Sequence, residues 1–234
     1  MPMGRTLPDG RRRWREDGRF FVRGEVRRLR LRFKLGLAVV ALVAIRLFAP
    51  LWLPTVADPL IADYAGLRTE AIVVEAWYAL EIRMAREIAR IRRGQRVYVI
   101  VNGEVEDPYG FSPDRPGQTL LNLVRAGVDT SKAVVLMIPP VPDVPGHTAF
   151  YAASVRKRML EDSVRSFTLF TDAFHSERSR LIYSRAFSGT GIAIDCYPAP
   201  QTFDRGNWWR TTSGMRYVMG EYIKLGYYLF RGFR

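Results

Sequence analysis

Five short apolar runs, at residues 71–75, 97–101, 133–138, 166–171 and 192–197, alternate with longer stretches of helical spacing, and this alternation restricts the fold more than any other feature. Runs rich in Val, Ile and Leu, without a polar residue at every second position, are strands buried on both faces. That burial arises when helices cover both sides of a parallel sheet. The first strand, Ala71-Ile-Val-Val-Glu75, leads to a helix over 78–93 with Leu80, Met84, Ile88 and Ile91 on one face and Gly94 at its end. Further helices are expected over 118–126, 148–160, 177–187 and 212–230. The class is three-layer α/β with a mostly parallel sheet. On the last helix Met215, Met219, Tyr222, Leu225 and Leu229 share one face, expected to be core.

A different element precedes this series. Residues 35–53 are apolar apart from Arg46, and their length is close to the roughly 20 residues that cross a bilayer. Their eleven Leu, Val, Ile and Phe residues, at about −0.3 to −0.6 kcal/mol each, outweigh the roughly +2.5 to +3.5 kcal/mol of one central arginine. Pro50 and Pro54 are expected to end or kink the helix. Residues 1–34 carry twelve Lys and Arg against four Asp and Glu, so +8 of the total +13 sits beside the apolar run. The positive-inside rule keeps that flank in the cytoplasm and sends the rest of the chain to the far side. A cleaved signal peptide is the rival, but Thr55-Val56-Ala57 is a weak cleavage site and the run reads as an uncleaved anchor. The layout expected is therefore a basic cytoplasmic segment at 1–34, a single anchor at 35–53 in a bacterial inner membrane, a linker at 54–68 and an outward-facing α/β domain at 69–234. With the basic charge explained by topology and anionic lipid, nucleic acid is not an expected partner. The lone Cys196 excludes an intramolecular disulfide and reads as a small buried hydrophobe.

In open α/β folds ligands bind where strand ends feed helices. Those ends offer Glu75, Asn102 with Gly103, His147 with Thr148, and Asp172 with His175, and both histidines of the chain fall among them. His147 in a Pro/Gly loop and His175 as a helix cap are the structural alternatives. Ser176 is placed to cap the next helix, whose first turns then hold Arg178 and Arg180. The helix dipole disfavours cations there, so a bound phosphate or carboxylate is a natural reason for Arg178, while Arg180 is read as pairing with Glu177. Asn102-Gly103 and Thr148 fit turn and cap roles as well as ligand contacts. Trp208-Trp209 fills the core edge or stacks on a sugar ring. No Gly-x-Gly-x-x-Gly follows the first strand, where Glu75-Ala-Trp77 stands, and no Walker motif, Gly-x-Ser-x-Gly elbow or clustered zinc-ligand spacing occurs.

Several segments together resemble the ElyC/SanA/YdcF family of bacterial envelope proteins: the N-terminal anchor, Ala71-Ile-Val-Val, Val99-Ile-Val-Asn-Gly103, Thr171-Asp-Ala-Phe-His175-Ser-Glu-Arg178-Ser-Arg180, and Gly220-Glu221-Tyr-Ile-Lys224-Leu-Gly-Tyr. The resemblance spans roughly 69–228, and His175-x-x-Arg178 and Glu221-x-x-Lys224 are its distinctive parts. It implies a Rossmann-like periplasmic domain linked to peptidoglycan, surface-polysaccharide or lipid-carrier biogenesis, with an anionic glycan or lipid-linked ligand. The chain departs at Glu75-Ala-Trp77 and at Gly146-His-Thr-Ala149, and both departures count against nucleotide or S-adenosylmethionine binding; no cofactor is assigned. For an enzyme, the roles fall to His175 as general acid/base, Asp172 or Glu75 as its orienter, and Arg178 as anion clamp, with Asn102, Gly103, His147, Thr148 and Glu221 as ligand contacts. The reaction would be hydrolysis or transfer on a phosphate-bearing or glycan substrate. A non-catalytic envelope scaffold that binds a ligand in the same crevice fits the sequence too.

Overall fold

The computed structural model of the chain describes residues 15–17, 21–23, 28–29, 31–76, 80–92, 94–102, 114–139, 147–200 and 203–231. The chain divides into two compact units, Met1–Trp52 and Leu53–Arg234. In the first, strands Arg15–Asp17, Phe21–Arg23 and Arg28–Leu29 pair antiparallel in sequence order. Helix α1, Leu31–Val56, follows and passes the unit boundary. It is long and apolar enough to cross a membrane, with a mean hydropathy of 2.2. The helix runs on through Pro50 and Pro54, because a proline removes only its own N–H from the ladder and long apolar helices tolerate that loss.

The second unit is built on five parallel strands: β1 Ala71–Glu75, β2 Arg96–Asn102, β3 Ala133–Ile138, β4 Ser166–Asp172 and β5 Ala193–Ala199. Their order is β3-β2-β1-β4-β5, with every neighbouring pair parallel. This is Rossmann-like order, in which the chain winds outward from β1 in one direction, then crosses to β4 and winds in the other. Helices α2, Ile82–Ile91, and α3, Arg115–Arg125, bury Ala85, Ile88 and Leu123 on the face formed by Ile72, Val74, Val97, Val99 and Val101. Helices α4, His147–Glu161, and α5, Ser176–Ala186, bury Tyr151, Val155, Ile182 and Tyr183 on the other, formed by Ala71, Val73, Tyr98, Ile100, Phe167 and Leu169. Alternate residues of each strand thus feed two separate cores, as the pleat requires.

Helix starts differ from expectation where polar side chains intervene. Helix α3 begins three residues early because the Asp114 carboxylate accepts from the Gly117 N–H at 2.9 Å and Pro116 is tolerated in a first turn. Helix α2 begins later than Tyr78. Thr119 and Asn122 of α3, both buried, hold Leu80 outside the helix: Leu80 N–H donates to Thr119 Oγ1 at 3.1 Å, and Asn122 Nδ2 donates to the Leu80 carbonyl at 2.8 Å. Trp77, Tyr78 and Gly103 lie outside the described residues.

The closing helix α6, Thr212–Arg231, presents a different face to the core from the one expected. Gly214, Val218, Glu221 and Tyr228 are buried, whereas Met215, Met219 and Leu229 are exposed. Gly214 sets this rotation, since a Cβ there would meet the Trp208 carbonyl oxygen at 2.2 Å. Val218 then joins Phe174, Trp208, Ala57 and Leu60 in a third cluster. Trp208 is core, edge-on to Trp209 with centroids 5.8 Å apart.

The stretch expected as a linker is bound into the second unit. Ala62 N–H donates to Ser176 Oγ at 2.8 Å, and the buried Asp195 carboxylate accepts from Ala65 N–H at 3.1 Å and Leu67 N–H at 2.8 Å. Asp195→Ala leaves these amides without their acceptor, which costs about 1–3 kcal/mol. Chemical denaturation of the full chain in detergent micelles should show that loss, and limited proteolysis should gain a cut between residues 61 and 69.

Candidate functional site

The strand that opens the sheet and the strand reached by the crossover lie side by side, and their carboxyl ends form the switch point where open α/β sheets hold ligands. Glu75 ends β1, and its parity with Ala71 and Val73 turns its side chain toward α5. By the same register Thr171 stands beside it on β4. A single 3-10 turn, Ala173–His175, joins β4 to α5 and delivers His175 as the residue before the helix.

Around His175 the chain gathers polar and charged groups from four elements. Glu221 of α6 places Oε2 3.1 Å from His175 Nδ1. Arg178 of α5 donates from Nε to Glu221 Oε2 at 2.8 Å, from Nη2 to Glu221 Oε1 at 3.3 Å, and from Nη1 to Thr148 Oγ1 of α4 at 3.1 Å. Its Nη2 also lies 2.7 Å from His175 Nδ1. On the other side of the ring, His175 Nε2 is 3.6 Å from Glu75 Oε2, which accepts from Ser179 Oγ at 2.7 Å. His175, Glu221, Arg178 and Glu75 are all at most 4% exposed. Lys224, half exposed, reaches Glu221 Oε1 at 2.9 Å from the rim.

The electrostatics follow from that crowding. Burial pushes the Glu221 carboxyl up, but the hydrogen bonds and charges of His175 and Arg178 outweigh it and hold the group well below the usual carboxylate range. Burial, and then the Glu75 charge, push the Tyr183 phenol well above its ordinary value. Two contacts converge on Nδ1 of His175, Arg178 Nη2 at 2.7 Å and Glu221 Oε2 at 3.1 Å, while Nε2 faces Glu75 Oε2 at 3.6 Å. Glu75 Oε1, Thr171 Oγ1 and Tyr183 OH, all buried, have no hydrogen-bond partner among the described residues.

The expected site residues divide accordingly. His175, Glu75, Arg178, Thr148 and Glu221 come together in one cluster. Asn102 is a neighbour: its Oδ1 accepts from the Tyr151 hydroxyl, and its carbonyl from Arg115 Nη1 at 3.1 Å. His147 opens α4 edge-on to Tyr151, centroids 6.4 Å apart. Asp172 is turned by strand alternation to the side of Phe170 and accepts from Tyr217 OH at 3.2 Å; the carboxylates that flank His175 are Glu221 and Glu75. Gly103 lies outside the described residues. The anion that answers Arg178 in the first turn of α5 is the chain's own Glu221, and Arg180 pairs with Glu177 at 2.6 Å. Ser176 does not cap α5 but donates to the Ala173 carbonyl at 2.6 Å and accepts from Ala62. Ser179 and Tyr183 were missed, though both follow His175 at helical spacing on α5 and that spacing is the signal that finds them. Cys196 is buried against the Ser176 carbonyl, and burial pushes its thiol well up, which suits no nucleophile. Among the described residues, no group of three or more His, Cys, Asp or Glu side chains is arranged to hold a metal ion.

No protein-family model matches the chain, and no curated protein matches it. Among solved structures, the crystal structure of pantothenate synthetase from Thermus thermophilus is similar at 15% identity, over 70% of this chain and 68% of that one, with a TM-score of 0.35.

Glu221→Gln should cost about 3–5 kcal/mol at neutral pH, because Arg178 loses its buried counter-charge. The pH dependence has a definite sign. A carboxyl depressed in the folded state contributes stability that is intact above its ordinary value of 4.5 and is lost as pH falls below it. Denaturation of the full chain in detergent micelles at pH 7 and at about pH 3.5 should therefore show a gap between wild type and Glu221→Gln that narrows in acid.

Proposed function

We propose that this is a membrane-anchored, outward-facing protein of the bacterial envelope, similar to the ElyC/SanA/YdcF family, and that His175 handles a proton on a phosphate-bearing or glycan ligand at the β1/β4 switch point. One observation carries the reading. The two distinctive sequence blocks, His175-x-x-Arg178 and Glu221-x-x-Lys224, stand more than forty residues apart and meet in a single buried ion-pair cluster. Burying two carboxylates and a guanidinium around one imidazole is a poor route to stability compared with apolar packing, and such arrangements concentrate at functional sites.

The roles follow from the geometry. Arg178 and Glu221 both crowd Nδ1, so proton transfer is assigned to Nε2, with Glu75 beside it. Glu221 and Thr148 hold Arg178, so the arginine orients the imidazole rather than standing open to a ligand anion. Hydrolysis or group transfer at a lipid-linked or glycan substrate is the reaction class that needs such a group. The arginine-rich flank of α1 supports an outward domain through the positive-inside rule.

The second reading, a non-catalytic envelope module, draws on a specific fact: His175 is 1% exposed, so the cluster can act purely as a brace between α5 and α6. The two readings separate in cells that lack the gene. His175→Gln keeps a neutral hydrogen-bonding side chain of similar reach, so the variant should reach the membrane at wild-type levels and melt in micelles within a few degrees of wild type. It should nevertheless fail to correct the envelope defect of those cells. Full restoration would reject proton chemistry at His175.

A further inference from the structure

Helix α6 is apolar on two opposite faces, and the core uses only one of them. Gly214, Val218, Glu221 and Tyr228 point inward, while Met215, Met219, Ile223 and Phe230 form the outer ridge, exposed by 41%, 56%, 72% and 95%. On a helical projection Ile223 and Phe230 lie almost diametrically opposite the buried stripe. Leu229, beside the ridge, is exposed as well. An exposed apolar ridge of this length has a partner in the working protein, because soluble helices that pack on one face keep the other polar.

We infer that the outer ridge of α6 lies in the headgroup layer of an anionic lipid surface, so that the α/β domain sits on the membrane rather than hanging from it. This rests on reading α1 as a membrane span. The charge on the helix fits lipid: Arg216, Lys224 and Arg231 are exposed, and the one acid, Glu221, is buried in the ion-pair cluster. Cations flanking apolar side chains are the pattern of helices that lie in the membrane interface. Chain continuity fits it too. The last residues of α1 belong to the second unit and rest on α6 and the turn before it: Tyr222 OH donates to the Val56 carbonyl, and Trp208 Nε1 donates to the Leu53 carbonyl at 3.3 Å. Leu53 and Val56 share a cluster with Val218 and Leu225. The point where the chain leaves the bilayer is therefore fastened directly to this helix. Seated in this way, α6 would carry Glu221, and with it the His175 cluster, to the lipid interface, where a lipid-linked substrate is presented.

Fluorescence quenching of the full chain in vesicles tests this. With Cys196 replaced by Ala, single cysteines are introduced by Ile223→Cys and Phe230→Cys on the ridge, Val40→Cys in α1, and Lys132→Cys at the far end of the sheet, and each is labelled with bimane. The proteins are reconstituted in phosphatidylethanolamine and phosphatidylglycerol containing nitroxide-labelled lipid, with iodide on both sides as the aqueous quencher. The expected result is several-fold stronger lipid quenching at 223 and 230 than at 132, with protection from iodide, and lipid quenching at 40. Iodide quenching at 223 and 230 as strong as at 132, with lipid quenching retained at 40, would overturn the seating of α6 while leaving the anchor intact. Protection from both quenchers would mean a protein partner, such as a second copy, and would overturn it as well. Loss of lipid quenching at 40 would remove the span and the inference with it.

Discussion

The carboxylate of Glu221 receives two hydrogen bonds from Arg178, lies against Nδ1 of His175 and is capped from the rim by Lys224, so the closing helix, α5 and the end of β4 meet at one group. The net stabilisation from such a buried pair is small, because desolvating each charge offsets most of the attraction. Removing one partner is another matter, since the other is left buried and uncompensated. The cluster therefore specifies how α6 docks more than it strengthens the fold. Its partners stand 43 and 46 residues before Glu221, so it ties together segments that are separated along the chain by β5.

The same cluster explains why Arg178 tolerates its position. A cation in the first turn of a helix opposes the dipole, which favours negative charge at that end. Glu221 supplies that charge from another element, and the guanidinium also rests 5.7 Å from the centre of the Tyr228 ring. Two turns of α6 thus cover both the edge and the face of one arginine. The segment leading in from α1 ends on the same structure, through Ser176, whose hydroxyl joins Ala62 to the turn that carries His175. The last residues of α1, the segment after them and the His175 turn are thus consecutive along one chain of contacts within the second unit.

The sheet was legible because its strands obey a local rule. Strands buried on both faces read as continuous apolar runs, and β1 and β3 fall on the residues that pattern marks, with the others within a residue or two at their ends. Their ends pointed to Glu75 and His175, which the structure brings side by side. Asp172 was harder, because it is adjacent in sequence to the histidine turn, yet strand alternation sends it to Tyr217. The carboxylate that does approach Nδ1 comes from a helix 46 residues later, and nothing in the local pattern of β4 and α5 points to it. The rotation of α6 escaped for a different reason. Periodicity identifies an apolar stripe but not the medium it contacts, and α6 has two stripes, of which the one containing a glycine and a glutamate is the buried one. The contact of Gly214 with the Trp208 carbonyl decides between them, and that is a tertiary fact.

The two nitrogens of the buried imidazole have different surroundings. Nδ1 is crowded by Arg178 and Glu221, and Nε2 faces Glu75 at 3.6 Å. Glu75 Oε2 is held by Ser179, while Oε1 is buried without a partner among the described residues, beside the similarly unpartnered Thr171 hydroxyl. His175 stands behind Glu75, with Glu221 and Arg178 holding the far side of its ring, so a deeply buried histidine lies in line with the carboxyl end of β1.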